Sequence, residues 1–181
     1  TNRQDILSEI IDGEKIGTVA YSEQSTSWDD ISTVTSTLKK DGEKYILKGK
    51  KDYVLFGDSS DYYLVIAEMN KFQYLVLVDS SDERVNCIPT VSLDQTRPLA
   101  SIEFNNVEIS GNDVLLGGDE LRPAWKKMLL FMMAALSIEQ VGGATSCLEM
   151  SVQYAKDRIQ FGRPIGSFQA VQHTCADMLL R

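Results

Sequence analysis

Histidine is nearly missing from this sequence: His173 is the only one in 181 residues. Cysteine is scarce as well, with Cys87, Cys147 and Cys175 as an odd set of three and no Cys-x-x-Cys spacing. A structural or catalytic metal centre therefore has nothing to build on, and the thiols read as reduced and unpaired, as in an intracellular protein. Positive charge is in short supply too. There are 18 Lys and Arg against 26 Asp and Glu, which excludes a basic nucleic-acid footprint but leaves room for a phosphate-bearing small molecule held by a few local donors. Long apolar runs are absent: the longest, 128–136, is too short to span a bilayer. The first residues, Thr1 to Ile11, are polar and mixed where a secretory leader would be basic and then apolar. A cytoplasmic location without a membrane span is the expectation. The first residue is Thr1, so an internal piece of a longer chain is also expected.

What is present falls into two textures. From about Ile16 to Leu116 the sequence reads as strands. Ile16 to Tyr21 is the first, and Thr33 to Lys39 alternates Val34 and Leu38 with hydroxyl residues. Asp41-Gly42 signals a turn. Tyr45 to Leu47 and Tyr53 to Phe56 follow as two strands, with Gly49 between them. Tyr62 to Ala67 is rich in aromatic and β-branched residues, and Phe72 to Val78 returns after an Asn70-Lys71 turn. Further on, Ile102, Phe104 and Asn106 are expected on one face. Short strands with regular turns and no intervening helix predict an antiparallel β-sandwich or open barrel.

The second texture is helical. Asp119 is the expected N-cap, with Pro123 tolerated in the first turn. Apolar residues recur from Trp125 to Val152, with Gly142-Gly143 as a weak point or a place of close approach. Met128 to Leu136 is apolar nearly all round, which suits the inside of a bundle and implies missing helical partners. A Gly/Pro loop ends this element at 162–166, and Ser167 is expected to cap a second helix. The fold class is thus α+β, a β-sandwich or open barrel followed by long helices of an incomplete four-helix bundle.

The stretch from Tyr154 to His173, YAKDRIQFGRPIGSFQAVQH, closely resembles the acyl-CoA dehydrogenase pattern YA-x-x-R-x-QFG-x-PI-x-x-FQ-x-x-QH. Gly13 to Gly17 is similar to that family's GEKIG entry to its middle domain. Lys39 to Gly57 and Phe104 to Gly117 resemble the segments that follow. The resemblance covers essentially the whole chain. It implies a middle β-domain at 1–117 and the first helices of the C-terminal helical bundle at 118–181. It also implies FAD as cofactor, an acyl-CoA as substrate, and α,β-dehydrogenation as the reaction. A homo- or hetero-oligomer of related subunits is the expected assembly, and an electron-transfer flavoprotein-type acceptor is the expected redox partner.

Six residues carry the expected cofactor contacts. Arg158 matches the arginine that reaches the FAD pyrophosphate of a neighbouring subunit, a task suited to a guanidinium fork; the other reading is a helix-end arginine meeting the macrodipole. Phe161 and Gln169 match positions at the adenosine end, or are a loop anchor and a first-turn residue. Tyr21 and Ser22, in Ala20-Tyr21-Ser22-Glu23-Gln24, match the A-x-T-E-P segment beside the flavin ring. Tyr53 matches a tryptophan on the flavin face, or is strand core.

The chain also departs from the pattern. Ser25 to Asp29 replace a glycine-rich G-A-G-S-D loop, with Trp28 at a small residue's place. Leu55 stands for a threonine that hydrogen-bonds the flavin. No catalytic base lies at a family position: Met132 occupies one, and the other lies beyond Arg181. Glu139 and Glu149 read as structural or solvated, and His173 as an ordinary helical residue. Two functions follow, a catalytic dehydrogenase or a non-catalytic subunit that completes a partner's FAD site. A flavin-free β-sandwich interaction module is a third, against which the Tyr154 to His173 motif stands.

Overall fold

The computed structural model describes residues 3–24 and 30–180. The chain forms two compact units, Thr1–Lys126 and Lys127–Arg181. The first begins with helix α1 (Gln4–Ile11) and continues through strands β1 (Gly17–Ala20), β2 (Thr37–Asp41), β3 (Lys44–Leu55), β4 (Tyr62–Met69), β5 (Phe72–Asp79), β6 (Val85–Thr90), β7 (Leu99–Ser110) and β8 (Val114–Gly117). These make one sheet in the order β6-β7-β3-β2-β4-β5-β8, with β1 also on β4. The expected all-antiparallel arrangement is modified at β4. There β1 pairs in parallel from Gly17↔Tyr62 to Ala20↔Val65, and β2 touches in parallel at Thr37↔Glu68. The sheet is therefore mixed.

Side chains from opposite ends of the strand order meet in one core: Leu38, Leu47, Val54, Tyr63, Val65, Val76, Val78, Ile102, Phe104 and Val107. A flat sheet cannot bring both its ends to a single core, so the sheet coils round it, as an open barrel does. On the outside, α1 lies over Tyr62, Leu64, Leu77 and Leu115.

Local backbone chemistry accounts for the turns. Asn70 and Lys71 both take left-handed φ, 55° and 69°, which is the two-residue hairpin whose twist matches its strands. The Asp41-Gly42 signal is displaced by one residue: Asp41 pairs with Lys44, and Gly42 and Glu43 make the loop. Thr33 to Lys39 is not one strand; a 3-10 turn at Ile31–Thr33 precedes β2. The two strands expected around Gly49 are one long β3, and Gly49 stays because a Cβ there would come within 2.7 Å of the Ser36 backbone.

Two bulges break the alternation on β3 and β7. Between Asn105↔Lys48 and Val107↔Leu47, Asn106 is an extra residue with φ 59°. Asn106 is exposed, and Val107 and Ile109 point inward instead. The single face expected for Ile102, Phe104 and Asn106 therefore ends at Phe104. The second bulge lies between Lys51 and Val54, where Tyr53 has φ 59°.

Helix α2 (Leu121–Asp157) runs for 37 residues without a break at Gly142-Gly143. Asp119 is not its N-cap but sits in a 3-10 turn, Gly118–Glu120. Leu121 and Trp125 are buried in the first unit, which is why the division between units falls inside the helix. Beyond it, every residue from 130 to 147 is exposed. The segment Gly118–Asp157 is long and apolar enough, by length and composition alone, to cross a membrane; the core helix of a bundle passes the same test. A short hairpin, β9 (Ile159–Gln160) and β10 (Arg163–Pro164), and a 3-10 turn, Ile165–Ser167, lead to α3 (Gln169–Leu180).

Candidate functional site

The expected cofactor residues form two groups, each within its own unit. In the first, the end of β1 is pinned to β3. The Asp52 amide donates to the Ser22 carbonyl at 2.9 Å, and Thr18 Oγ1 donates to the Leu55 carbonyl at 2.7 Å. Ser22 and Tyr53 thus lie on adjoining segments. The bulge turns Tyr53 outward to 59% exposure, so it is a surface ring rather than strand core, as bulges beside functional sites often arrange. The Ser22 hydroxyl is half-buried and has no hydrogen-bond partner among the described residues. Tyr21 is instead engaged in packing, its ring 4.8 Å from that of Trp125 at 58°. Burial pushes the Tyr21 hydroxyl above its ordinary value. Leu55 presents an exposed apolar side chain. The Ser25 to Asp29 loop lies outside the described residues.

A buried ion pair that sequence reading missed holds this group in place. Lys51 is fully buried and Glu23 nearly so. Lys51 Nζ donates to Glu23 at 2.6 Å and reaches the Tyr21 carbonyl at 3.5 Å. The same carboxylate accepts from the amides and hydroxyls of Thr35 and Ser36, at 2.6–3.1 Å. Burial alone would raise the Glu23 carboxyl, but the Lys51 ammonium and the Thr35 donors outweigh it and hold it at about 2. The Glu23 carboxylate is therefore ionised at neutral pH, while burial lowers the Lys51 ammonium from its ordinary value against the pull of Glu23. One signal was readable: Lys50-Lys51-Asp52 interrupts an apolar strand, and a bulge turns both Lys51 and Asp52 inward. Asp52 in turn accepts from Ser101 at 2.6 Å.

The second group lies at the joint between α2 and α3. Arg158 follows the last turn of α2. Its carbonyl accepts the Ile165 amide at 2.8 Å, and a Cβ added at Gly166 would lie a tight 3.0 Å from the Ala155 carbonyl oxygen. Arg158 is exposed and makes no side-chain hydrogen bond or ion pair among the described residues. Phe161 and Gly162 form the hairpin tip with φ 53° and 78°. Phe161 is 85% exposed, an unusual position for a large apolar ring in a turn that favours glycine. Its ring meets that of Phe168 edge-on at 6.3 Å.

Ser167 does not cap α3. Its hydroxyl donates back to the Pro164 carbonyl at 2.7 Å. Phe168 has the extended N-cap conformation, and its carbonyl accepts the Val171 and Gln172 amides at 3.1 and 3.2 Å. Phenylalanine offers no side-chain acceptor, so the first amides of α3, beside exposed Gln169, lack the usual cap. Open amides at a positive helix end, together with an unpaired guanidinium, suit an anionic ligand.

Comparison with known proteins bears on the family and the fold. The family profile for the acyl-CoA dehydrogenase C-terminal domain matches residues 124–181. Acyl-CoA dehydrogenase IpdE2 of Mycolicibacterium smegmatis is 30% identical over 179 residues, which is 99% of this chain and 42% of that protein. The butyryl-CoA dehydrogenase structure from Megasphaera elsdenii superposes with a TM-score of 0.92 at 21% identity, over 97% of this chain and 48% of that one. A solved FAD-dependent dehydrogenase superposes at 0.89 with 30% identity, over 97% and 49%. The chain spans about half the length of the relatives it matches. By sequence and by fold it belongs to the acyl-CoA dehydrogenase family, as the middle β-domain and the start of the helical domain.

Proposed function

We propose that this chain is the flavin-holding part of an FAD-dependent acyl-CoA dehydrogenase, an oxidoreductase that introduces an α,β double bond into an acyl-CoA thioester. The observation that carries the reading is the α2–α3 joint: an unpaired Arg158 guanidinium, the exposed Phe161 ring and the uncapped amides of α3. These residues fit a dinucleotide. Arg158 would hold the diphosphate by charge-assisted hydrogen bonds, Phe161 would supply a face for adenine, and Gln169 would supply an amide at the same end. In the β-unit, the free Ser22 hydroxyl would donate to the flavin ring and the outward Tyr53 would flank it. The Glu23–Lys51 pair would keep Ser22 in place without touching the ligand. When bound, FAD would accept a hydride from the substrate β-carbon while a carboxylate base, which neither family position within these residues supplies, would take the α-proton. The exposed stretch 130–147 is the surface that further bundle helices or a related subunit would cover. An electron-transfer flavoprotein-type acceptor would reoxidise the flavin.

A second reading is a non-catalytic subunit that lends Arg158, Phe161 and Gln169 to a partner's FAD. Two observations favour it: Leu55 gives the flavin no donor, and Met132, at one expected base position, carries no carboxylate. Purification of the intact protein tests both. Flavin absorbance is expected, and a colourless protein would overturn both readings. Bleaching by an acyl-CoA indicates the catalytic form; flavin that no acyl-CoA reduces indicates the other. Arg158→Ala is expected to weaken FAD retention about ten- to a hundredfold, the range for hydrogen bonds to a charged group. Unchanged occupancy would refute the role of Arg158.

A further inference from the structure

We infer that Arg163 is a positioning residue for this joint, acting through Phe168; the inference rests on the flavin reading above. The guanidinium carbon of Arg163 lies 4.1 Å from the centre of the Phe168 ring. Arg163 sits on the returning strand of the hairpin, directly opposite Gln160. Phe168 is the N-cap residue of α3 and the edge-on neighbour of Phe161. A single ring therefore joins three parts: the hairpin tip, the returning strand and the start of the helix. Arg163 has no carboxylate partner among the described residues, so the aromatic face is its observed partner.

The consequence is pre-organisation. Two exposed residues in left-handed φ, Phe161 and Gly162, lead the hairpin, and such a tip would sample other orientations unless it were held. Stacking Arg163 on Phe168 fixes the Phe161 edge against the same ring, so less ordering remains when a ligand arrives. An exposed cation–π contact of this kind changes an equilibrium by about two- to fivefold. Lysine would keep part of the attraction but lose the flat stacking of the guanidinium.

The test is a double-mutant cycle in the intact protein, reading FAD affinity by titration of the apoprotein, with the urea midpoint and far-UV dichroism as checks of folding. Arg163→Gln and Phe168→Leu are each expected to weaken FAD two- to fivefold at an unchanged urea midpoint. The double variant is expected to lose no more than the larger single loss, and Arg163→Lys to fall between wild type and Arg163→Gln. Wild-type affinity in Arg163→Gln would overturn the inference while leaving the flavin reading intact. Losses that multiply would also overturn it, since Arg163 would then act on the ligand without Phe168. A wild-type protein that binds no FAD would overturn both.

Discussion

The two units manage polar and apolar groups in opposite ways. In the β-unit a charge is buried and completely answered: Glu23 takes donors from Lys51, Thr35 and Ser36. In the helical unit apolar groups are exposed, with Phe131 at 67% and Ile138 at 74%, while Arg158 has no hydrogen-bond or ion-pair partner among the described residues. Completed interactions serve stability; groups left open serve recognition. The contrast separates the part of the chain that buries its groups against one another from the part that leaves them exposed.

The largest expected effect tests the saturated side. Lys51→Met leaves the Glu23 carboxylate buried without its counter-ion, and denaturant unfolding should show a loss of about 3–5 kcal/mol. A loss under about 1 kcal/mol would mean the pair is not the anchor of this unit. Acid sharpens the same point. The Glu23 carboxyl is depressed from 4.5 to about 2, so its stabilisation is fully present above pH 4.5 and drains away as pH falls towards 2. Glu23→Gln should flatten the stability profile across that window. Equal slopes in variant and wild type would assign the acid sensitivity to other groups. The smallest effect belongs to the open side. In residues 1–181 by themselves, replacing both Phe131 and Ile138 with glutamine should move unfolding free energy by less than about 0.5 kcal/mol per site, as for surface positions. Sedimentation should show less self-association. A marked loss of stability would show that these side chains are already packed, and the contrast would fail.

The same contrast governs what was legible in the sequence. β4 and β5 were readable because runs rich in aromatic and β-branched residues flank the Asn70-Lys71 turn, and α2 because its apolar residues recur at helical spacing. The bulges were not, since Tyr53 and Asn106 adopt left-handed φ without being glycine, and each shifts the alternation beyond it. The Lys51–Glu23 pair was not legible, because its members lie 28 positions apart in sequence. At the joint the motif pointed to Arg158, Phe161 and Gln169. The cap was misread because Ser167 is the residue type that caps helices, whereas its hydroxyl turns back to Pro164. Composition cannot reveal that choice; only the path of the chain can.

Asn106 gives the sheet tolerance of two kinds. Its side chain faces solvent, so evolution is free to exchange it for other residues that accept its backbone angle. Removing the position altogether would leave a plain alternation, with Phe104, Val107 and Ile109 still inward and Asn105 and Glu108 outward, and Lys48 and Leu47 would face consecutive residues of β7. What natural variation is required to preserve at that point is the inward facing of Val107 and Ile109, not the length of the strand.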